Sequence, residues 1–249
     1  PYLGDVESLW LTSKGFWQTE TKVELLPEAI KQIAKTKGIN LPPLVAIAGP
    51  VKASECASAK PTATVFACRD YELAKRYAKT VTTPNYSVTP SQDEIGVEVC
   101  AALKNIYAIA LGIADGMSAA DEQPRDNLRA AIFVQAVAEM ASLCHALGGD
   151  LQTAYGLAGM GDLQLTSTAG RSRLYGHAVG TGQNPRQALE QMQSQGLTIE
   201  GSPAALIAHQ LVQQLGLNAP LLEAVYQMLH GHVDDARALI CAVALGVDA

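Results

Sequence analysis

The sequence is poor in charge and in aromatic side chains. Charged residues make up 17% and aromatic residues 5% of the 249 positions, against 48% hydrophobic residues. The formal net charge of −6 excludes a broad positive surface for nucleic acid or anionic membrane. An anionic small molecule could still be bound by a few local cations. The composition is typical of a globular protein with a substantial core, in one large domain or two modest ones.

Several familiar motifs are also missing. The five cysteines (Cys56, Cys68, Cys100, Cys144, Cys241) form no CxxC pair, which is typical of reduced thiols in a cytoplasmic protein. His230 and His232 have no carboxylate or thiolate at ligand spacing, so no metal site is predicted. GxSxG, P-loop and GxGxxG motifs are absent. The chain opens without a Met or a leader pattern, and we expect further residues upstream of Pro1.

The secondary-structure patterns of the sequence change near residue 91. Before it, short β-rich runs alternate with a helical pattern, which indicates part of a parallel α/β sheet. After it only helical patterns remain, so we predict an α/β portion at 1–90 and an all-α domain at 91–249. The predicted strands are 43–49, 61–68 and 86–90, with the end of another at 10–15. The predicted helices are 70–81, 92–115, 126–147, 185–195, 202–216, 220–230 and 233–246.

An ammonium and an amide interrupt the most apolar stretch, VEVCAALKNIYAIALGIADGM at 97–117. Glu98, Lys104 and Asn105 make this stretch a costly membrane span, so none is predicted. A buried lysine is suited to proton transfer, because loss of hydration makes the neutral amine accessible near neutral pH. The alternative is a lysine whose amine reaches solvent from a buried helix. The segment by itself favours that alternative.

A second notable stretch, 153–182, combines glycines with hydroxyl and arginine side chains. Gly156, Gly159, Gly161 and Gly170 surround Asp162, and Ser172 precedes Arg173. Hydroxyls, an arginine and the start of a helix near Ser172 could together hold a phosphate. A glycine-rich connection between helices is the plainer interpretation.

Taken together, several motifs resemble the NAD(P)-dependent glycerol-3-phosphate dehydrogenases, in that family's order, from about residue 11 to the end. They are TSKG (12–15), GPVKASE (49–55), PTA (61–63), VEVCAALKNIYAIALGIADG (97–116), DNLRAA (126–131), EMASLCHALGG (139–149), GLAGMGDLQLTS (156–167), SR (172–173) and EG (200–201).

The resemblance implies a partial Rossmann-like sheet followed by an all-helical substrate domain. It implies that the chain interconverts dihydroxyacetone phosphate and sn-glycerol 3-phosphate with NAD or NADP, as a cytoplasmic homodimer that supplies glycerophospholipid synthesis. Lys104 would be the proton donor or acceptor, with Asp162 as its catalytic partner. The implied substrate-binding residues are Lys14, Gly49, Lys104, Asp162, Thr166, Ser172 and Arg173, and the implied cofactor-binding residues are Lys14, Ala53, Arg173 and Glu200.

The sequence also departs from the family pattern. Leu174 replaces an asparagine after Ser-Arg, Val51 replaces a serine after Gly-Pro, and Gln135-Ala136 replaces Arg-Gly, while 117–124 replaces a Gly-rich turn. The Gly-rich dinucleotide turn is missing as well. A second function class therefore stays open beside the dehydrogenase. It is a non-catalytic binding or regulatory relative that kept the substrate domain and lost cofactor binding.

Overall fold

The computed structural model describes residues 6–231 and 233–247. The strands are β1 (Leu9–Leu11), β2 (Phe16–Gln18), β3 (Val23–Leu25), β4 (Leu44–Ala48), β5 (Thr62–Ala67) and β6 (Tyr86–Ser91). The helices are α1 (Leu26–Thr36), α2 (Ala53–Ala57), α3 (Tyr71–Val81), α4 (Glu94–Asp121), α5 (Asp126–Ala146), α6 (Leu151–Tyr155), α7 (Asp162–Ala169), α8 (Arg171–Gly180), α9 (Pro185–Ser194), α10 (Gly201–Leu215), α11 (Pro220–His230) and α12 (Ala236–Leu245), with a π-helical turn at Leu157–Gly161.

The chain forms two compact units. The first contains residues 6–102 and 141–162, and the second contains the remaining described residues, 103–140 and from 163 onward. Within the described chain, every strand lies before Gln92 and only helices follow. The predicted fold class, α/β followed by all-α, is confirmed. A domain boundary between 1–90 and 91–249 stays a prediction.

The first unit is built on a four-stranded sheet in the order β1-β4-β5-β6. Its apolar core includes Val45, Phe66 and Val88 from the strands and Leu73 and Ala78 from α3. Helix α3 begins at an N-cap, where the Asp70 carboxylate accepts the Leu73 N–H. The buried apolar runs that predicted these strands, and the amphipathic pattern that predicted this helix, correspond to the core that they share.

One strand pairing corrects the expectation of a purely parallel sheet. The pairs β1–β4 and β5–β6 are parallel, but β4 and β5 are antiparallel. The segment that joins β4 to β5 contains only the short helix α2. A long crossover helix, which normally returns the chain for a parallel pairing, is not present there, and the chain reverses direction instead.

The second unit contains a close pair of helices, α4 and α8. A Cβ added at Gly176 would lie 2.0 Å from the Ile109 carbonyl oxygen, and one at Gly180 would lie 2.2 Å from the Ile113 oxygen. Gly112, on α4, would meet the Arg173 oxygen at 2.2 Å. Only glycine allows the two backbones to approach this closely. The packing fixes where α8 places its arginines relative to α4.

Helix α4 has the length and apolarity of a membrane-spanning helix. However, 94% of its most apolar 18-residue window is buried inside the fold. This burial is what a core helix shows, and it agrees with the sequence prediction that the stretch is not a membrane span.

Candidate active site

In the first unit, three of the predicted site residues meet at one carboxylate. The Lys14 Nζ atom lies 3.7 Å from Asp162 Oδ2, and the Gly49 N–H donates to the same oxygen at 3.4 Å. The Asp162 side chain is 3% exposed and that of Lys14 is 31% exposed. A buried carboxylate needs such partners, because burial without a counter-charge is costly. The ammonium of Lys14 remains accessible to an anionic ligand.

Gly49 directly follows β4 and has a backbone conformation that side chains rarely adopt. Its φ is +146°, and a Cβ there would lie 2.9 Å from the Cα of Thr64 on the neighbouring strand. Both features require glycine at this position. The result is a bare backbone amide at the end of the strand, directed toward Asp162.

A second carboxyl in this unit is Glu98 of α4, which sequence reasoning did not identify as a site residue. It is 2% exposed, and its Oε2 is buried without a hydrogen-bond partner among the described residues. Burial, reinforced by the nearby Glu94 carboxylate, raises the pKa of Glu98 to about 8, although Lys14 and Lys31 oppose the shift. The sequence signal for it was an acidic residue within the most apolar stretch of the chain.

In the second unit, Lys104 lies on α4 and is 9% exposed. This burial favours the proton-transfer interpretation over a lysine that extends into bulk solvent. The next residue, Asn105, donates to Glu200 Oε2 at 2.9 Å, while Arg171 Nη2 donates to Glu200 Oε1 at 2.7 Å. Ser172 accepts the Gly201 N–H on its hydroxyl at 3.3 Å. Asn105 on α4, Ser172 on α8 and Glu200 directly before α10 thus lie in one region.

Arg173 lies elsewhere in the second unit, on an ion-pair cluster that the sequence did not predict. Its Nε donates to Asp115 Oδ2 at 2.8 Å, and Arg129 Nε donates to Asp115 Oδ1 at 3.1 Å. Arg129 Nη2 also binds the hydroxyl of the buried Ser167, at 3.1 Å. One carboxylate on α4 therefore holds arginines from α5 and α8. The four residues come from four different helices, and no spacing signals the cluster.

The remaining predicted residues occupy separate positions. Ala53 is exposed at the start of α2, and Thr166 is half-buried on α7. Among the departures from the family pattern, Leu174 is 45% and Val51 is 37% exposed. Gln135 donates to Glu139 at 2.9 Å within α5. His232 lies outside the described residues, and no group of three or more His, Cys, Asp or Glu among the described residues could hold a metal ion.

Family models match both parts of the chain. The C-terminal model of NAD-dependent glycerol-3-phosphate dehydrogenase matches residues 93–239, and the N-terminal model matches residues 3–74. A glycerol-3-phosphate dehydrogenase [NAD(P)+] of Symbiobacterium thermophilum is 41% identical over 75% of this chain and 53% of its own length. The NADP(+)-dependent enzyme of Archaeoglobus fulgidus is 33% identical over 92% of this chain and 68% of its own length.

A solved structure gives the same result. The glycerol-3-phosphate dehydrogenase of Coxiella burnetii superposes with a TM-score of 0.80 at 33% identity, covering 94% of this chain and 67% of that one. The chain spans little more than half the length of several curated relatives, 53% of the Symbiobacterium protein among them. The matches extend through the sheet unit and the helical unit alike. The chain belongs to the NAD-dependent glycerol-3-phosphate dehydrogenase family.

Proposed function

We propose that this chain carries the substrate-binding and proton-transfer residues of a glycerol-3-phosphate dehydrogenase. The reaction interconverts dihydroxyacetone phosphate and sn-glycerol 3-phosphate, with NAD or NADP as the cofactor. The observation that carries the proposal is Lys104, which is buried on α4 and belongs to the stretch 97–116 through which the sequence resembles the family. The proposal rests also on family membership over both units.

The residues of the chain divide the chemical work. Lys104 holds the proton that the substrate's C2 oxygen gains on reduction, and the same amine takes it back on oxidation. Asp162 accepts from the substrate hydroxyls, and its contacts with Lys14 and with the Gly49 amide hold it in place. Ser172 and Arg173 bind the phosphate, for which a guanidinium is a suitable planar partner.

The nicotinamide cofactor, when bound, supplies the hydride. The accessible Lys14, the exposed Ala53 and the exposed Glu200 fit contacts with its nicotinamide end. The 249-residue sequence contains no Gly-rich turn to bind the pyrophosphate of the cofactor. We further propose, on the family resemblance, a cytoplasmic homodimer that supplies glycerol 3-phosphate to glycerophospholipid synthesis.

Substitution of Lys104 tests the proposed function. In a catalytically active protein that contains this chain, Lys104→Ala should lower kcat by about 10²–10⁴-fold, because the reaction loses its positioned acid. Cofactor affinity should change little. Lys104→Arg keeps the positive charge but holds its proton too tightly to transfer it, so we expect it to stay slow.

The matched control is Lys75→Ala, because Lys75 is 61% exposed and pairs with the neighbouring Glu72 on α3. The decrease in nicotinamide absorbance measures the reduction of dihydroxyacetone phosphate. If Lys104→Ala and Lys75→Ala both retain the kcat of the parent, Lys104 is not the acid. An inactive parent protein would favour the non-catalytic relative instead.

A further inference from the structure

Asp115 is the centre of the ion-pair cluster in the second unit. Each of its carboxylate oxygens accepts one guanidinium Nε–H, from Arg173 at 2.8 Å and from Arg129 at 3.1 Å. The three side chains are partly buried, with 18% exposure for Asp115, 25% for Arg173 and 26% for Arg129. Partial burial strengthens these ion pairs relative to surface pairs. Arg173 is therefore held firmly where the structure shows it.

That position lies far along α4 from the proposed proton donor. Lys104 and Asp115 face the same side of this continuous helix, about three turns apart, which is ~16 Å along the axis at ~1.5 Å per residue. Side chains on a helix lean toward its N-terminus, so the lysine amine and the Asp115 carboxylate are displaced in the same direction and their separation along the axis remains. A three-carbon phosphate with its C2 oxygen on Lys104 is too short to span this separation.

The backbone of Arg173 lies between these two positions. The Arg173 carbonyl oxygen packs against Gly112, only 2.2 Å from where a Cβ on Gly112 would be. From there the Arg173 side chain extends toward Asp115, which follows Gly112 on α4 and lies on the far side from Lys104. The side chain is long and flexible, so a rotamer change carries its guanidinium back along α4 toward Lys104 without moving either helix.

We propose that Asp115 is a positioning residue that holds Arg173 away from the reaction centre and releases it to the substrate's phosphate. The proposal rests on the proposed function, because Lys104 marks the reacting end of the substrate. The phosphate dianion carries more charge than Asp115 and offers a bidentate acceptor, so it can compete for the guanidinium.

Arg129 allows Arg173 to move from Asp115 to the phosphate without leaving the Asp115 carboxylate unpaired. When Arg173 leaves, Asp115 keeps Arg129, and Arg129 keeps the buried Ser167 hydroxyl. Asp115 is therefore not left as an unpaired, partly buried charge, which would be strongly unfavourable. A lone Asp115–Arg173 pair would not allow release so easily. The second arginine is the feature that converts a static ion pair into an exchangeable one.

Calorimetric titration of the chain with inorganic phosphate and with sn-glycerol 3-phosphate tests this proposal. Asp115→Asn keeps the shape of the side chain and removes its charge, so we expect both ligands to bind about 3- to 10-fold more tightly. In an Arg173→Ala background the same Asp115→Asn change should have no effect on affinity. A role of Asp115 in stability alone would not depend on Arg173.

Asp121→Asn is the matched control, because it removes a carboxylate that pairs with Arg125 near the end of the same helix. We expect its phosphate affinity to equal that of the parent. Weaker binding in Asp115→Asn would overturn the proposal and show that Asp115 holds Arg173 in its binding position. Unchanged binding, or no phosphate binding by any variant, would overturn it too. These titrations measure binding and not turnover. Tighter binding by Asp115→Asn would therefore support the role of Asp115 even if the protein lacked dehydrogenase activity.

Discussion

At the scale of single residues, Glu98 is the most unusual group of the first unit. Its carboxyl is buried on α4, one turn after Glu94, whose own carboxylate is bound by Lys31. Desolvation is the main cause that raises the pKa of Glu98 to about 8, followed by repulsion from Glu94. The positive charges of Lys14 and Lys31 act in the opposite direction. At neutral pH the folded protein therefore keeps a proton on Glu98.

This proton makes stability depend on pH. Between the ordinary pKa of 4.5 and the folded value of about 8, the folded chain binds more protons at Glu98 than the unfolded chain does. The free energy of unfolding should then fall as pH rises through this window, by up to about 1.4 kcal/mol per pH unit from this group. Glu98→Gln cannot ionise, so its stability relative to the parent should be greater at pH 8.5 than at pH 5.5.

Urea unfolding at the two pH values measures the effect. Glu72→Gln serves as the control, because the Glu72 side chain is 78% exposed on α3. That variant should follow the parent at both pH values. If Glu98→Gln differs from the parent by the same free energy at pH 5.5 and at pH 8.5, the carboxyl does not titrate as described.

At the scale of elements, the segment 153–182 shows where sequence patterns were insufficient. Its glycines favoured a loop-like connection, but the structure has α6, a π-helical turn, α7 and α8 there. Gly176 and Gly180 serve helix packing rather than flexibility, because each contacts a backbone carbonyl of α4. A glycine that permits close packing and a glycine that ends a helix look alike in one sequence. Only the helix start near Ser172 was predicted, and α8 begins at Arg171.

The α4–α8 packing yields a direct test. Gly176→Ala would place a Cβ 2.0 Å from the Ile109 carbonyl oxygen, so the helices must separate. We expect a loss of about 1–3 kcal/mol in the free energy of unfolding, as for other overpacked cores. The control is Gly156→Ala, whose Cβ would meet no atom closer than 3.5 Å. Equal Tm values for the two variants would contradict this packing.

The strands of the first unit show what the sequence did predict. The runs 43–49, 61–68 and 86–90 correspond to β4, β5 and β6, because buried apolar runs bounded by Pro or Gly are typical of strands. The pair β2–β3 and helix α1 were missed. Pro27 stands in the first turn of α1, where proline is well tolerated, yet in a sequence it reads as a break.

At the scale of the whole molecule, the family resemblance supplied what patterns within the chain could not. Periodicity divided the chain into α/β and all-α parts, and the resemblance identified Lys14, Gly49 and Asp162, which the fold does bring together. Contacts formed only by the fold stayed hidden. The pairing of Arg173 with Asp115, and the loss of solvation at Glu98, depend on helices that are distant in sequence.

The 249-residue chain also allows a test of cofactor binding. It has no GxGxxG turn, which in dinucleotide-binding folds lets the backbone approach the pyrophosphate. Lys14, Ala53 and Glu200 would contact the nicotinamide end alone, so we expect this chain to bind NADH and NADPH weakly or undetectably. Titration followed by nicotinamide fluorescence measures the Kd. The NADP(+)-dependent Archaeoglobus relative itself serves as the positive control. A micromolar Kd for the 249-residue chain would show that it binds the cofactor without that turn.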